Sequence, residues 1–348
     1  MLNHPNAQIL NKVGNHHQIG GIETSIIDSG KAKGVRIAWV NTGAGLRYKV
    51  VLDRAMDIAD AHFNQHNLSW ISHVGIASSA KTGICKDNWL EKFGGGLLTT
   101  CGLSHVGASE EDEYGQRGLH GDIGYEPAEI ITIKQPNLLE EKPIMSITGI
   151  TKETSSFGKH LELRRTIYSI LGEAAIYIED EVTNVSYSKI PHMFMYHCNF
   201  GWPLIDEGTL IDWEGNWEPR GTSSDSYIFN NNNNFKNCLP PVEESNEFNG
   251  EACVFVDIKP NEKGICKTSI INHKLNLMVE ISFNKKELPW FTNWLHFKKG
   301  EYVVGLEPGT NPPIGQAKAR KDNSLIFLKP HETRKYNIKI TVKNSDKI

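Results

Sequence analysis

The stretch Leu161-Glu162-Leu163-Arg164-Arg165-Thr166-Ile167-Tyr168-Ser169-Ile170-Leu171-Gly172-Glu173-Ala174-Ala175-Ile176-Tyr177-Ile178-Glu179-Asp180-Glu181-Val182-Thr183 decides the fold class. Leu161, Leu163, Arg165 and Ile167 fall on one side of a period-two pattern. After Gly172, the residues Ile176, Ile178, Asp180 and Val182 alternate with Tyr177, Glu179, Glu181 and Thr183. A period of two sends successive side chains to opposite faces of a strand. Two such runs around a Leu-Gly-Glu turn predict an antiparallel hairpin.

Outward from this hairpin, similar runs occur at 34–40, 48–58, 252–258, 275–283, 302–306, 324–328 and 336–342. Turn residues punctuate them, as in Asn41-Thr42-Gly43, Asn249-Gly250, Lys299-Gly300 and Pro312-Pro313. Helical signals are few: 87–93 predicts one short helix and 285–294 a partial helical turn. The expected architecture is all-β and mainly antiparallel, a large β-sandwich with few short helices. No internal repeat or linker divides the chain. It is read as a single domain over 1–348, with the first ~20 residues as an appended arm or first strand. The asparagine run 230–234 predicts a surface loop, and the acidic run Glu110–Glu113 a solvated loop tip.

Composition narrows the function classes. The 348 residues carry 41 acidic and 37 basic side chains, a net charge of −4, with 39% hydrophobic residues. That is an ordinary globular balance with no basic face for a phosphate backbone, so no nucleic-acid partner is expected. No apolar run approaches the length of a membrane span, and no basic-then-apolar leader opens the chain. The six cysteines, Cys85, Cys101, Cys198, Cys238, Cys253 and Cys266, have no CxxC spacing. They read as reduced core thiols, and the expectation is a cytoplasmic protein with no membrane partner.

Five segments concentrate polar chemistry. Val51–Ile58 alternates apolar residues with Asp53, Asp57 and an Arg54 on the opposite face. Gly94–Gly107 is dense enough in glycine for backbone to approach a ligand closely, yet lacks a phosphate-loop pattern. Arg117–Tyr125 places His120 between glycines, where its neighbours cannot bury it. In Pro191–Pro203, period two sets Met193, Met195, His197 and Asn199 on one face and His192 on the other. Glu307 ends the run Val303-Val304-Gly305-Leu306 at a Pro-Gly turn, where enclosure would raise its pKa. Singly, each segment has a plain structural reading: a surface ion pair, a turn histidine, a core histidine bonded to a carbonyl.

Taken in order, the segments resemble the aldose 1-epimerase, or galactose mutarotase-like, superfamily, and within it a branch of unassigned function. The residues that carry the resemblance are Asp53-Arg54-Ala55-Met56-Asp57-Ile58, Gly95-Gly96-Leu97-Leu98-Thr99-Thr100-Cys101-Gly102-Leu103, Gly118-Leu119-His120-Gly121, His197-Cys198-Asn199-Phe200-Gly201-Trp202-Pro203-Leu204 and Gly305-Leu306-Glu307-Pro308-Gly309. The resemblance implies a supersandwich whose concave sheet binds a sugar. It further implies His197 as acid and Glu307 as base at the anomeric carbon. Arg54 and His120 would bind hydroxyls, with Asn199, His105, Trp202 and Trp290 as further substrate-binding candidates and Trp294 as a stacking surface. Ala55 departs from the glycine common at its position in this branch. No cofactor is implied, and a homodimer is compatible with the reading.

Three functions compete at this level. The first is a cofactor-free isomerase of the aldose 1-epimerase type acting on a small sugar. The second is a non-catalytic carbohydrate-binding or sensing protein, which needs no acid–base pair. The third is a sugar isomerase or lyase acting on a modified or acidic sugar, with His120, His197 and Glu307 mimicking a metal-ligand set. The 14 histidines show no HxH or HExxH spacing, so no metal ligand is assigned.

Overall fold

A computed structural model describes residues 7–78, 88–230, 235–243 and 248–347, and its regular structure is mostly antiparallel strand. The hairpin forms as its alternation predicts. Strands His160–Ile170 and Ala175–Asn184 pair with Leu163 opposite Val182, Arg165 opposite Asp180 and Ile167 opposite Ile178. One row of each strand is buried and the other is not.

The hairpin sits inside an eight-stranded sheet. Its order is Leu210–Asp212, Ile265–Asn272, Leu277–Asn284, Thr333–Lys343, Ala175–Asn184, His160–Ile170, Ile144–Thr154 and Glu129–Lys134. A seven-stranded sheet faces it, in the order Gly215–Pro219, Glu251–Ile258, Trp290–Lys298, Glu301–Gly309, Ile190–Gly201 and Ile326–Leu328. Thr99–Leu103 also pairs with Ile190–Gly201. A five-stranded meander, from Gly21–Ile26 to His66–Asn67, joins the eight-stranded sheet where Tyr48 and Ser169 share a 2.9 Å hydrogen bond. One apolar cluster runs through these sheets from Ile22 to Val342. At about 1.5–3 kcal/mol per fully buried aliphatic or aromatic side chain, it is the main source of stability.

Between the two large sheets lies a polar knot. Arg165, 1% exposed, donates from Nε and Nη2 to Asp180 and from Nη1 to Thr100 Oγ1 (2.7 Å) and the Ala55 carbonyl (3.0 Å). Tyr196, from the facing sheet, donates its hydroxyl to Asp180 Oδ2 at 2.7 Å. Thr100 donates its amide and hydroxyl to Asp57 Oδ1. Burial pushes the Asp57 carboxyl up to about 6, against the pull of the Arg54 and Arg165 guanidiniums and the Thr100 donors. Partners on every side make so deep a charge tolerable.

Several expectations are corrected. The alternating run 48–58 is two strands, Leu46–Val51 and Asp57–Phe63, joined by a tight turn in which Ala55 (φ 47°) and Met56 (φ 59°) take left-handed conformations. Glycine suits that conformation best, and here two residues with side chains take it. The alternation was real, but the chain reverses inside it. The segment 285–294 is a turn followed by strand Trp290–Lys298, with no helix. Asn88–Lys92 is helical, and the expected first residue, Asp87, lies outside the described residues. Short helices Ser223–Ile228 and Gln316–Lys321 had no clear sequence signal.

Asn231 to Asn234 and Cys85 also lie outside the described residues. The five described cysteines are buried and unpaired. Glu110, expected on a loop tip, is partly buried and accepts hydrogen bonds from Arg117 Nε (2.7 Å) and the Ala317 amide (3.0 Å). Among the described residues no helix is long and apolar enough to cross a membrane.

Candidate active site

Strand Ile190–Gly201 is buried over all but Pro191. Alternation explains why. Phe194, Tyr196, Cys198 and Phe200 enter the main core, whereas Met193 and Met195 belong to a second apolar cluster with Trp89, Phe93 and Tyr125. His197 follows Met195 on that second face. The antiparallel register pairs Met195 with Gly309 and Cys198 with Leu306. It therefore sets His197 opposite Glu307, and directly opposed residues project to the same side of a sheet.

The same face continues across the sheet. Thr292 is paired with Glu307, Trp294 with Gly305, Cys253 with Trp294, and Glu251 with His296. With these residues as floor and the helix Asn88–Lys92, the turn at His120 and the segment Trp70–Val74 as walls, the protein encloses a cavity of about 590 Å³. The floor is polar and the walls are largely aromatic, as in many small-molecule sites.

His197 Nε2 and Glu307 Oε1 approach to 3.3 Å at the floor, and both residues are at least 95% buried. Their near edge is free of side chain because position 305 is glycine: a Cβ there would lie 2.3 Å from Glu307 Oε1 and 3.2 Å from Trp294 Cβ. His120, left-handed at φ 55°, presents its ring 5.9 Å from that of His197. Trp89 lies 4.9 Å from the His120 ring and Phe93 5.4 Å from the His197 ring, with Trp294 at 5.6 Å from His197.

Burial sets the protonation states. It pushes the Glu307 carboxyl well above the usual carboxylate range, offset in part by the Arg220 guanidinium. It lowers His197 to about 3, offset in part by the Asn199 side chain beside it, and lowers His120 well below its usual value. An ionised Glu307 facing a protonated His197 was the expectation from sequence. Desolvation of both charges favours the neutral pair, which holds the same single proton on the carboxyl.

Of the residues singled out in the sequence, His197, Glu307, His120 and Trp294 meet in this cavity. Asn199 and His105 lie just behind it. Asn199 donates to the carbonyls of Gly96 and His197. His105 donates from Nε2 to the Ala108 carbonyl (3.0 Å), and Ala108 lines the wall. Arg54, Trp202 and Trp290 do not line it. Arg54 sits in the turn that interrupts 48–58 and lines a separate cavity of about 460 Å³ with Lys49, Asp57, Asp60 and Thr99. Trp202 is 70% exposed. Trp290 opens its strand, four residues before Trp294 reaches the floor.

The cation in the cavity wall is Arg220, which sequence reasoning missed. It donates to Glu251 Oε1 (2.9 Å) and in fork fashion to Asp225. Glu251 also accepts from Trp294 Nε1 at 3.0 Å. The Trp89–Phe93 spacing of four was the one available clue to the aromatic wall; their rings stack at 4.2 Å. His192, on the core face, donates from Nδ1 to the Leu103 carbonyl and accepts from the Tyr336 hydroxyl, so it is a satisfied core histidine. No group of three or more His, Cys, Asp or Glu among the described residues is arranged to hold a metal ion.

Comparison with solved structures places this architecture. A "putative aldose 1-epimerase" of Klebsiella pneumoniae superposes with a TM-score of 0.85 at 20% identity, covering 98% of this chain and 87% of that one. A galactose mutarotase-like protein of Clostridium acetobutylicum gives 0.61 at 12% identity, over 94% and 99% of the two chains. A second "putative aldose 1-epimerase", from Escherichia coli K12, gives 0.59 at 12%, over 86% and 97%. At these identities the likeness is one of fold, that of the galactose mutarotase-like sandwich. A search of curated proteins returned no match. The model of the family described as Domain of unknown function (DUF4432) matches residues 32–342, and the chain belongs to that family.

Proposed function

We propose that the protein is a cofactor-free sugar epimerase acting at the anomeric carbon, with His197 and Glu307 as its proton-transfer pair. The observation that carries this reading is the 3.3 Å contact between the two, facing an aromatic-walled cavity. The residues then act as follows. Glu307, whose burial favours the protonated carboxyl, donates to the ring oxygen of a bound pyranose while neutral His197 accepts from the anomeric hydroxyl. The ring opens to the aldehyde, C1 turns about its bond to C2, and reclosure on the other face returns both protons. The assignment of acid and base is thus the reverse of that implied by family resemblance, with the proton count unchanged. Arg220 and His120 orient hydroxyls, and Trp89 and Trp294 offer apolar faces to the sugar ring.

Polarimetry or NMR of freshly dissolved α-anomers, run over a panel of neutral and acidic sugars, tests the reading. Accelerated equilibration supports it. Saturable sugar binding without acceleration overturns it in favour of a carbohydrate-binding protein, and activity abolished by chelators in favour of a metal-dependent isomerase.

The pH dependence has a definite sign. The one-proton state of the pair is lost on acidification only when His197 takes up a second proton, near its lowered value of about 3. No acid limb is therefore expected between pH 7 and 5, where a solvent-exposed histidine would titrate. An acid limb centred near 6.5 would show that the pair is not held neutral.

Gly305→Ala probes the notch beside Glu307. The added methyl meets the end of a flexible side chain, so the fold should survive while the carboxyl is displaced. Misplacing a catalytic group by about 1 Å can cost roughly 10²-fold. The expected result is a loss of that order in kcat/KM with a folded protein and a lowered urea midpoint, since Trp294 Cβ must also give way at 3.2 Å.

A further inference from the structure

We infer that Arg54 is a positioning residue: from outside the cavity it holds the end of the helix that forms the aromatic wall against His197 and His120. The helix Asn88–Lys92 is five residues long. Helices of that length do not persist on their own, so tertiary contacts must fix it. The last carbonyls of any helix also lack partners within it and are commonly met by basic side chains. Arg54 supplies that partner: its Nη1 donates to the Lys92 carbonyl at 2.6 Å.

The anchor is itself fixed. Arg54 is 6% exposed, and its guanidinium lies 5.3 Å from the centre of the Tyr125 ring, a ring also approached by Lys92 Nζ at 5.2 Å. One residue beyond the anchored carbonyl, Phe93 is held by a second bond, from Ser72 Oγ to its carbonyl at 2.5 Å. With the end of the helix so restrained, Trp89 and Phe93 stack on each other and stand against the two histidines. The short helix thus converts one buried guanidinium into the placement of two aromatic rings.

This role differs from direct sugar contact in what it predicts. A residue that bonds one hydroxyl matters only for sugars bearing that hydroxyl. A residue that sets the wall affects all of them alike, chiefly through KM. Arg54→Met keeps the stem and removes the donors; Arg54→Lys keeps a single donor and the charge.

Hydrogen exchange on the full chain reads the first link. Amides at 90–93 should exchange at least tenfold faster in Arg54→Met, with the strands Ile190–Gly201 and Glu301–Gly309 unchanged, and Arg54→Lys should restore much of the protection. This arm does not depend on the protein being an epimerase. The kinetic arm rests on that reading: Arg54→Met should raise KM by a similar factor for a parent sugar and for each of its monodeoxy analogues, with kcat changed less. Unchanged exchange at 90–93 in both variants overturns the proposal. So does a KM penalty that disappears for one deoxy sugar, which would make Arg54 a direct contact. If Arg54→Met does not fold, Arg54→Gln takes its place, with the same expected and overturning results.

Discussion

Glu307→Gln is expected to slow anomer interconversion by about 10²–10⁴-fold, the usual contribution of one positioned proton-transfer group. Glutamine keeps the volume and the hydrogen-bonding reach of the side chain but has no proton to give to a ring oxygen. KM should change little, because the cavity walls, Arg220 and His120 are untouched. Polarimetry on α-anomers is the measurement, and a variant within threefold of the parent would remove Glu307 from the chemistry.

The same substitution carries a stability signature that separates burial from catalysis. The Glu307 carboxyl titrates higher in the folded protein than its ordinary value of 4.5. The native state therefore binds that proton more tightly than the unfolded chain. Stability falls as pH rises above about 4.5, by roughly 1.4 kcal/mol per pH unit for the single group, until the folded value is reached. Glutamine has no such slope. Urea midpoints of the variant should gain on the parent between pH 5 and pH 8. A residue kept at a cost in stability fits a functional role better than a structural one.

The second large effect is in the polar knot. Asp180→Ala is expected to lose about 3–5 kcal/mol of stability, the usual consequence of leaving a buried charge without its partner. Arg165 would keep Thr100 and the Ala55 carbonyl but lose the carboxylate that meets its Nε and Nη2, and Tyr196 would lose its acceptor. Replacing both members, Arg165→Met with Asp180→Leu, should recover part of the loss, since no guanidinium is stranded, while Asp57 gives up its 3.8 Å ion pair with Arg165. Chemical denaturation of the two variants is the check. A single-variant loss below 1 kcal/mol would mean that water reaches the site.

How far the sequence could be read follows from the range of the interactions involved. The hairpin from His160 to Asn184 was legible because its signal is local: alternation, a glycine turn, alternation again. Arg165 and Asp180 were even on the inward row in that pattern, and their pairing across the strands follows from the turn. His197 and Glu307 were found as polar groups on apolar strands, and only the register of two strands more than a hundred residues apart brings them opposite each other.

Arg54 misled for a physical reason. A turn with two left-handed residues that are not glycine carries no glycine signal, so alternation ran through it unbroken. Arg220 and Glu251 were invisible because they flank a cavity only through the sheet order that lays Glu251–Ile258 beside Trp290–Lys298. No spacing in the chain encodes that neighbourhood. The protonation of the pair was also beyond reach: it depends on how deeply the side chains are buried, and alternation reports only which way they face.

Strand Ile190–Gly201 has core on one side and the cavity floor on the other, and this divides what the family can change from what it must keep. A substitution on either face of that strand is felt through the shared backbone by the other, so its twelve positions are mechanically tied together. Arg220 and Glu251 are different. Their side chains are a third or so exposed, but Arg220 forks onto the fully buried Asp225, so exchanging Arg220 would strand an interior charge and Glu251 is the less constrained of the two. A substitution at Glu251 should therefore alter what the cavity admits at less structural cost than one at any position of the strand that carries His197.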